Sequence, residues 1–124
     1  MTDHVLVIDD DPDIGSAVRD ALGIDGYRVE VASHGAAGLE LLDGKPTLIL
    51  LDMRMPVMDG WTFAREARQR GSQIPIVVMT AARDAAAWAG EIDASAYLAK
   101  PFSLTELLTV VARLREAPSD PERH

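Results

Sequence analysis

The sequence predicts an α/β domain: a doubly wound, five-stranded parallel sheet with five helices distributed over its two faces. Three observations carry this. The apolar runs Val5–Ile8, Leu48–Leu51 and Ile74–Met79 have the length of strands and lack polar alternation, the pattern of strands buried on both faces. Between them lie segments whose apolar residues recur at helical spacing, so strand and helix alternate along the chain. Each of these runs also ends in polar residues: Asp9-Asp10, Asp52 and Thr80, with Lys100 closing a further short strand. Strand ends of this kind lie along one edge of a parallel sheet, the edge where open α/β sheets bind ligands.

The elements follow in order. Val5-Leu6-Val7-Ile8 is the first strand. Asp11-Pro12 is an N-cap followed by proline at the first helical position, and Ile14, Ala17, Val18, Ala21 and Leu22 extend that helix until Gly23 or Gly26 ends it. Tyr27 to Ala32 alternates like a half-exposed edge strand. Ser33 is placed to cap a short helix from Ala36 to Leu42, with Leu39 and Leu42 inward. Leu48 to Leu51 then runs into Asp52, and Pro56 closes that segment. Asp59-Gly60 makes a turn, and Trp61 to Arg70 forms a helix with Phe63, Ala64 and Ala67 on one side. Ile74 to Met79 is the fourth strand, ending at Thr80. Asp84 to Glu91 is an alanine-rich helix with an Ala85, Trp88, Ala89, Ile92 stripe, which reads Trp88 as core. Ala96 to Ala99 is the fifth strand, ending at Lys100-Pro101. Ser103 with Glu106 forms a capping box for the last helix, whose apolar side is Leu104, Leu107, Leu108, Val111 and Leu114. The domain is expected over residues 1–117, with 118–124 a flexible tail or the start of a linker.

Composition bounds the function. A chain of 124 residues, 48% hydrophobic and 26% charged, fits one domain with one core. It has no cysteine, so disulfides, thiolate metal sites and a cysteine nucleophile are excluded. A net charge of −8 argues against direct contact with nucleic-acid backbone. No apolar run is long enough to span a bilayer, and Met1-Thr2-Asp3-His4 is not a basic leader, so no membrane association and a cytoplasmic location are expected. Of twelve basic residues only Lys45 and Lys100 are lysines; a site that needs a compact point charge accounts for Lys100.

The edge residues point to phosphoryl chemistry. Three carboxylates brought together repel one another and call for a cation. Oxygen donors with neither cysteine nor histidine suit Mg²⁺ or Mn²⁺ rather than zinc. Phosphoryl transfer needs little beyond in-line placement and charge stabilisation. Asp52 is then the nucleophile and phosphate acceptor, Lys100 a mobile positive charge, and Thr80 a hydroxyl donor to the added oxygens. Other polar residues have plainer readings. Asp11 is a helix cap, Asp13 a helix N-terminal charge, and Asp59 part of the Asp-Gly turn. His4 and His34 are surface residues, and His124 lies in the tail.

These residues resemble the receiver domain of bacterial two-component response regulators, from Val5 to about Arg115. The resemblance rests on Val-Ile-Asp9-Asp10, on Leu-Asp52-Met-Arg-Met55-Pro56 with Asp59-Gly60, on Met-Thr80-Ala81, and on Tyr97-Leu-Ala-Lys100-Pro101-Phe102. It implies the flavodoxin-like strand order 2-1-3-4-5. It also implies that Asp52 takes a phosphoryl group from a histidine kinase or histidine phosphotransfer protein. Asp10 and Asp52 would bind Mg²⁺ directly with the backbone carbonyl of Arg54, and Asp9 through water. Thr80 would move to the phosphoryl group, Tyr97 would turn inwards behind it, and Lys100, followed by a cis proline bond, would pair with it. Ala81 leaves room for the phosphate. The implied activity is Mg²⁺-dependent self-phosphorylation and slow self-dephosphorylation, not turnover of a separate substrate. A downstream effector protein or domain would meet the face between Asp84 and Arg115.

The chain departs from the family pattern in three places. The Thr80–Lys100 segment is roughly two residues short of the common spacing. Ile92-Asp93-Ala94-Ser95-Ala96 lacks the frequent Gly-Ala, and Gly90 falls inside the fourth helix. Arg54 is expected to contact the phosphoryl group or the attacking water with its side chain. Two other readings stand beside the leading one. One is a receiver-fold interaction module that no longer uses phosphate. The other is a phosphatase with an aspartate nucleophile, for which Asp52-Met53-Arg54 lacks the second aspartate two positions on.

Overall fold

A computed structural model describes residues 3–116. The expected tail at 118–124 lies outside the described residues. The elements are β1 (His4–Ile8), α1 (Pro12–Ile24), β2 (Arg28–Ala32), α2 (Gly35–Leu41), β3 (Leu48–Asp52), α3 (Gly60–Gln69), β4 (Ile76–Ala81), α4 (Ala82–Glu91), β5 (Ala96–Lys100) and α5 (Leu104–Glu116), with a 3₁₀ turn, Leu42–Gly44, after α2. The sheet is parallel throughout in the order β2-β1-β3-β4-β5. β1 and β3 are buried along their whole length, which is why their sequences are apolar without alternation.

Strand alternation divides the core. Leu6, Ile8, Ile49, Leu51 and Val78 face one side and pack with Phe63, Ala64 and Ala67 of α3 and Ala89 of α4. Val5, Val7, Leu50, Val77 and Met79 face the other and pack with Val18 and Leu22 of α1 and Leu107 and Val111 of α5. Each sheet face thus seals its own apolar layer, and the polar strand ends are left to the edge.

Register places those ends together. Ile8 pairs with Leu51, so Asp9 and Asp52, the next residue on each strand, stand level. Asp52 pairs with Met79, which puts Thr80 one residue beyond. Ala81 pairs with Lys100, so Lys100 arrives at the same edge.

Several local expectations are met in atomic detail. Asp11 accepts from the Asp13 N–H at 2.9 Å as the expected cap, whereas Asp59, read as part of an Asp-Gly turn, accepts from the Thr62 N–H at 2.9 Å and caps α3. Ser103 and Glu106 form the reciprocal capping box, at 3.0 and 2.9 Å. Lys100-Pro101 is cis.

Others are corrected. α1 passes Gly23 and ends at Ile24, and Gly26, at φ 91°, makes the turn beyond. α2 is capped by His34, whose Nδ1 accepts from the Ala37 N–H, and not by Ser33. β4 begins at Ile76 rather than Ile74, after Pro75, which has no N–H to give the ladder. α4 starts directly at Ala82, with Asp84 inside its first turn. His4 is buried, not on the surface, because β1 begins at it and pairs it with β2; its Nε2 lies 2.5 Å from a carboxylate oxygen of Glu30. Leu104, expected on the apolar side of α5, is 58% exposed along with the rest of the helix's first turn, and burial begins at Leu107.

Candidate functional site

Asp52 ends β3 and Asp9 follows β1; both side chains are buried at the sheet edge, while Asp10 is exposed beside them. One carboxylate oxygen from each lies within 4.8 Å of the other two. Among the described residues this cluster could hold a divalent cation, and its donors are all oxygen. Lys100 Nζ is 2.9 Å from Asp9 Oδ2 and 3.6 Å from Asp52 Oδ1, so a single ammonium serves two carboxylates. The Arg54 N–H lies 3.3 Å from Asp52 Oδ1, and the Asp11 N–H donates to Asp9 Oδ1 at 2.9 Å. Thr80 is buried at the end of β4, and Ala81 next to it is exposed, leaving the mouth of the site open.

The electrostatics follow from this crowding. Burial, and then the charge of Asp9, pushes the Asp52 carboxyl up to about 6; Lys100 and the Arg54 N–H work in the opposite direction without cancelling them. For Lys100, burial favours the neutral amine. The hydrogen bond to Asp9 and the charges of Asp52 and Asp9 outweigh it, and the ammonium is held above its usual range. The site is short of positive charge as it stands.

The loop after Asp52 is built to turn sharply. The Gly60 N–H donates to the Met53 carbonyl at 3.0 Å, and a Cβ at position 60 would lie 2.8 Å from the Met53 Cα and close on its Sδ. Only glycine permits that approach. Val57 sits at the loop tip at φ 69°, fully exposed, with the Met58 N–H donating back to the Pro56 carbonyl at 2.7 Å. Met53 and Met55 point inwards and anchor the loop on both sides of Arg54.

All seven residues singled out from sequence, Asp9, Asp10, Asp52, Arg54, Thr80, Tyr97 and Lys100, come from the β-strands or the loops directly after them. Tyr97 is 48% exposed on β5, unlike the buried Asp9, Asp52 and Thr80. The Arg54 side chain, expected to meet a phosphoryl group on Asp52, here has its guanidinium carbon 5.7 Å from the centre of the Trp88 ring. Trp88 is half-buried rather than core and meets Trp61 edge to face at 4.7 Å. Trp61 in turn donates from Nε1 to Glu91 at 2.7 Å, and Arg68 donates to the backbone carbonyls of Ile92 and Asp93 just past α4, so α3 is tied to α4 and to the turn after it. Sequence reasoning missed this cluster because Arg54, Trp61 and Trp88 have no common spacing; only the β3-β4 pairing brings them together.

The open parallel sheet carries three carboxylates and one lysine at its carboxyl edge, and comparison with known proteins specifies the family. The family model described as "Response regulator receiver domain" matches residues 5–112, and the chain belongs to that family, the receivers of two-component response regulators. Response regulator MprA of Mycobacterium sp. (strain KMS) is 39% identical over 118 residues, covering 93% of this chain and 50% of that protein. A putative response regulator from Chloroflexus aurantiacus is 32% identical with a TM-score of 0.83, covering 92% of this chain and 98% of that one. Chemotaxis response regulator CheY4 of Vibrio cholerae is 28% identical with a TM-score of 0.84, covering 92% and 99%. The chain spans about half the length of the curated relatives it matches. The expectation that nucleic acid is excluded as a partner therefore gains no support from them. No helix among the described residues is long and apolar enough to cross a membrane.

Proposed function

We propose that this receiver accepts a phosphoryl group on Asp52 from a histidine kinase or histidine phosphotransfer protein, with Mg²⁺ bound by Asp10, Asp52 and the Arg54 carbonyl and Asp9 acting through water. The observation that carries this reading is the cluster itself: three carboxylates within 4.8 Å, two of them sharing one lysine. Mg²⁺ supplies the missing positive charge and orients phosphoryl oxygens. Asp52 presents its oxygen to the phosphorus, Lys100 balances the added charge, and the Thr80 hydroxyl donates to the new acceptors.

The added group draws Lys100 and Thr80 towards it, Tyr97 turns inwards, and the face from Asp84 to Arg115 changes its preferred partner, an effector protein or domain. Near-complete switching of that face from a mostly inactive state requires the phosphorylated form to favour the active one by about 5.5 kcal/mol. The chain catalyses only its own phosphorylation and slow dephosphorylation, in the cytoplasm. With Mg²⁺ and a small-molecule phosphodonor the protein is expected to gain one phosphoryl group labile to base and hydroxylamine, read by intact mass, and Asp52→Asn is expected to gain none. Label surviving that substitution overturns the assignment.

A further inference from the structure

The cation–aromatic contact between the acceptor loop and α4 has no part in the phosphoryl chemistry above. Arg54 begins at the acceptor, since its own N–H lies 3.3 Å from Asp52 Oδ1, yet its guanidinium is stacked on Trp88, 5.7 Å from the ring centre. Trp88 is not free to follow it: the ring is buttressed by Trp61 at 4.7 Å, and Trp61 is held by Glu91 at 2.7 Å. A cleft of about 330 Å³, lined by Met53, Met55 and Asp59 as well as these three side chains, gives the arginine room to swing.

We propose that Trp88 is a positioning residue that parks the Arg54 guanidinium away from the acceptor, and that the phosphoryl group on Asp52 competes for it. The inference rests on the phosphoacceptor reading of Asp52. A guanidinium over a half-exposed indole is held weakly, whereas a phosphoryl group offers it two charged oxygens in the planar fork geometry arginine fits best. Once transferred, the guanidinium covers the open face of the phosphoryl group. Hydrolysis there requires a water oxygen to attack phosphorus while the bond to Asp52 breaks, its electron pair returns to the carboxylate and the water's proton leaves to solvent. Arg54 in that approach path slows the attack. Release of Trp88 at the same moment loosens one of the ties between the acceptor loop and α4, so the contact reports the state of the site to the face that changes partner.

The test uses the full chain. In Trp61→Phe, Trp88 is the sole indole, because the chain has two tryptophans. Phosphorylation is then expected to change Trp88 emission, and adding Arg54→Gln, which keeps the backbone carbonyl, is expected to abolish that change while the label is retained. Phosphoryl half-life gives the second readout. Arg54→Gln should shorten it. Trp88→Leu, which frees the arginine, should lengthen it about twofold or more, Trp88→Phe should restore the original value, and the double variant should match Arg54→Gln alone. An emission change that persists without Arg54, or a Trp88→Leu effect that persists without Arg54, overturns the inference. A chain that accepts no phosphoryl group overturns the phosphoacceptor reading and this inference together. One that accepts it without any Arg54-dependent signal overturns the inference alone.

Discussion

β1 and β3 are buried at every residue, whereas in β5 only Leu98 is buried and its neighbour Tyr97 is 48% exposed. The helices match their strands. α3 packs Phe63, Ala64 and Ala67 onto the central strands, while α4 buries only Ala85 and Ala89 and leaves Gly90 in open space. One half of the molecule is a close-packed platform that holds the carboxylates at fixed separation. The other, from α4 to the start of α5, buries fewer of its side chains. That division fits the switch proposed above, in which the charged site would need rigidity and the Asp84–Arg115 face alternatives separated by little free energy.

Breaking the platform has the largest expected effect. Phe63→Ala empties a fully buried position and should cost about 3–5 kcal/mol in denaturant unfolding. Leu104→Ala on the exposed side should stay within about 0.5 kcal/mol. Similar losses at the two sites would erase the distinction. Next comes metal: Mg²⁺ at a hundred times its dissociation constant should raise stability by about 2.7 kcal/mol in thermal melts, and Asp52→Asn should remove most of that gain.

The pH dependence sharpens the same point. A carboxyl raised from 3.8 in the unfolded chain to about 6 in the fold binds its proton more tightly when folded. Its favourable contribution is present below about pH 4 and lost as pH rises through 6. Metal-free stability should therefore fall across that window by on the order of 2 kcal/mol, and Asp52→Asn should flatten the fall and be the more stable protein at pH 7. The Lys100 ammonium is held above its usual range and stays charged throughout. A metal-free profile unchanged by the substitution would show that Asp52 is not under electrostatic stress.

The smallest effects come from two glycines of opposite sign. Gly60→Ala presses a methyl against the Met53 backbone and should destabilise by about 1 kcal/mol or more. Gly90→Ala meets nothing within 4 Å in the last turn of α4 and should stabilise by about 0.5–1 kcal/mol. Loss at both positions would mean that α4 is packed as tightly as the acceptor loop.

Period and end residues carried most of the fold. The unalternating runs marked β1, β3 and β4, and the caps at Asp11 and Ser103 are local hydrogen bonds that a few neighbouring residues settle by themselves. The carboxylate, threonine and lysine positions were readable for the same reason, because a parallel sheet sends every strand's carboxyl end to one edge. Burial of His4, capping by His34 instead of Ser33, and exposure of Leu104 were not readable. Each depends on what a neighbouring element covers, and periodicity within one segment does not contain that.

The amino-acid sequence by itself determined an alternating α/β chain, the family motifs, and the one-edge placement of Asp9, Asp10, Asp52, Thr80 and Lys100, since pattern and strand direction are properties of the chain alone. Tertiary structure decided which carboxylates share Lys100, that Tyr97 is exposed, and that Arg54 lies on Trp88. Those are distances between side chains that come from different strands and helices, and register and packing settle them only once the sheet has closed.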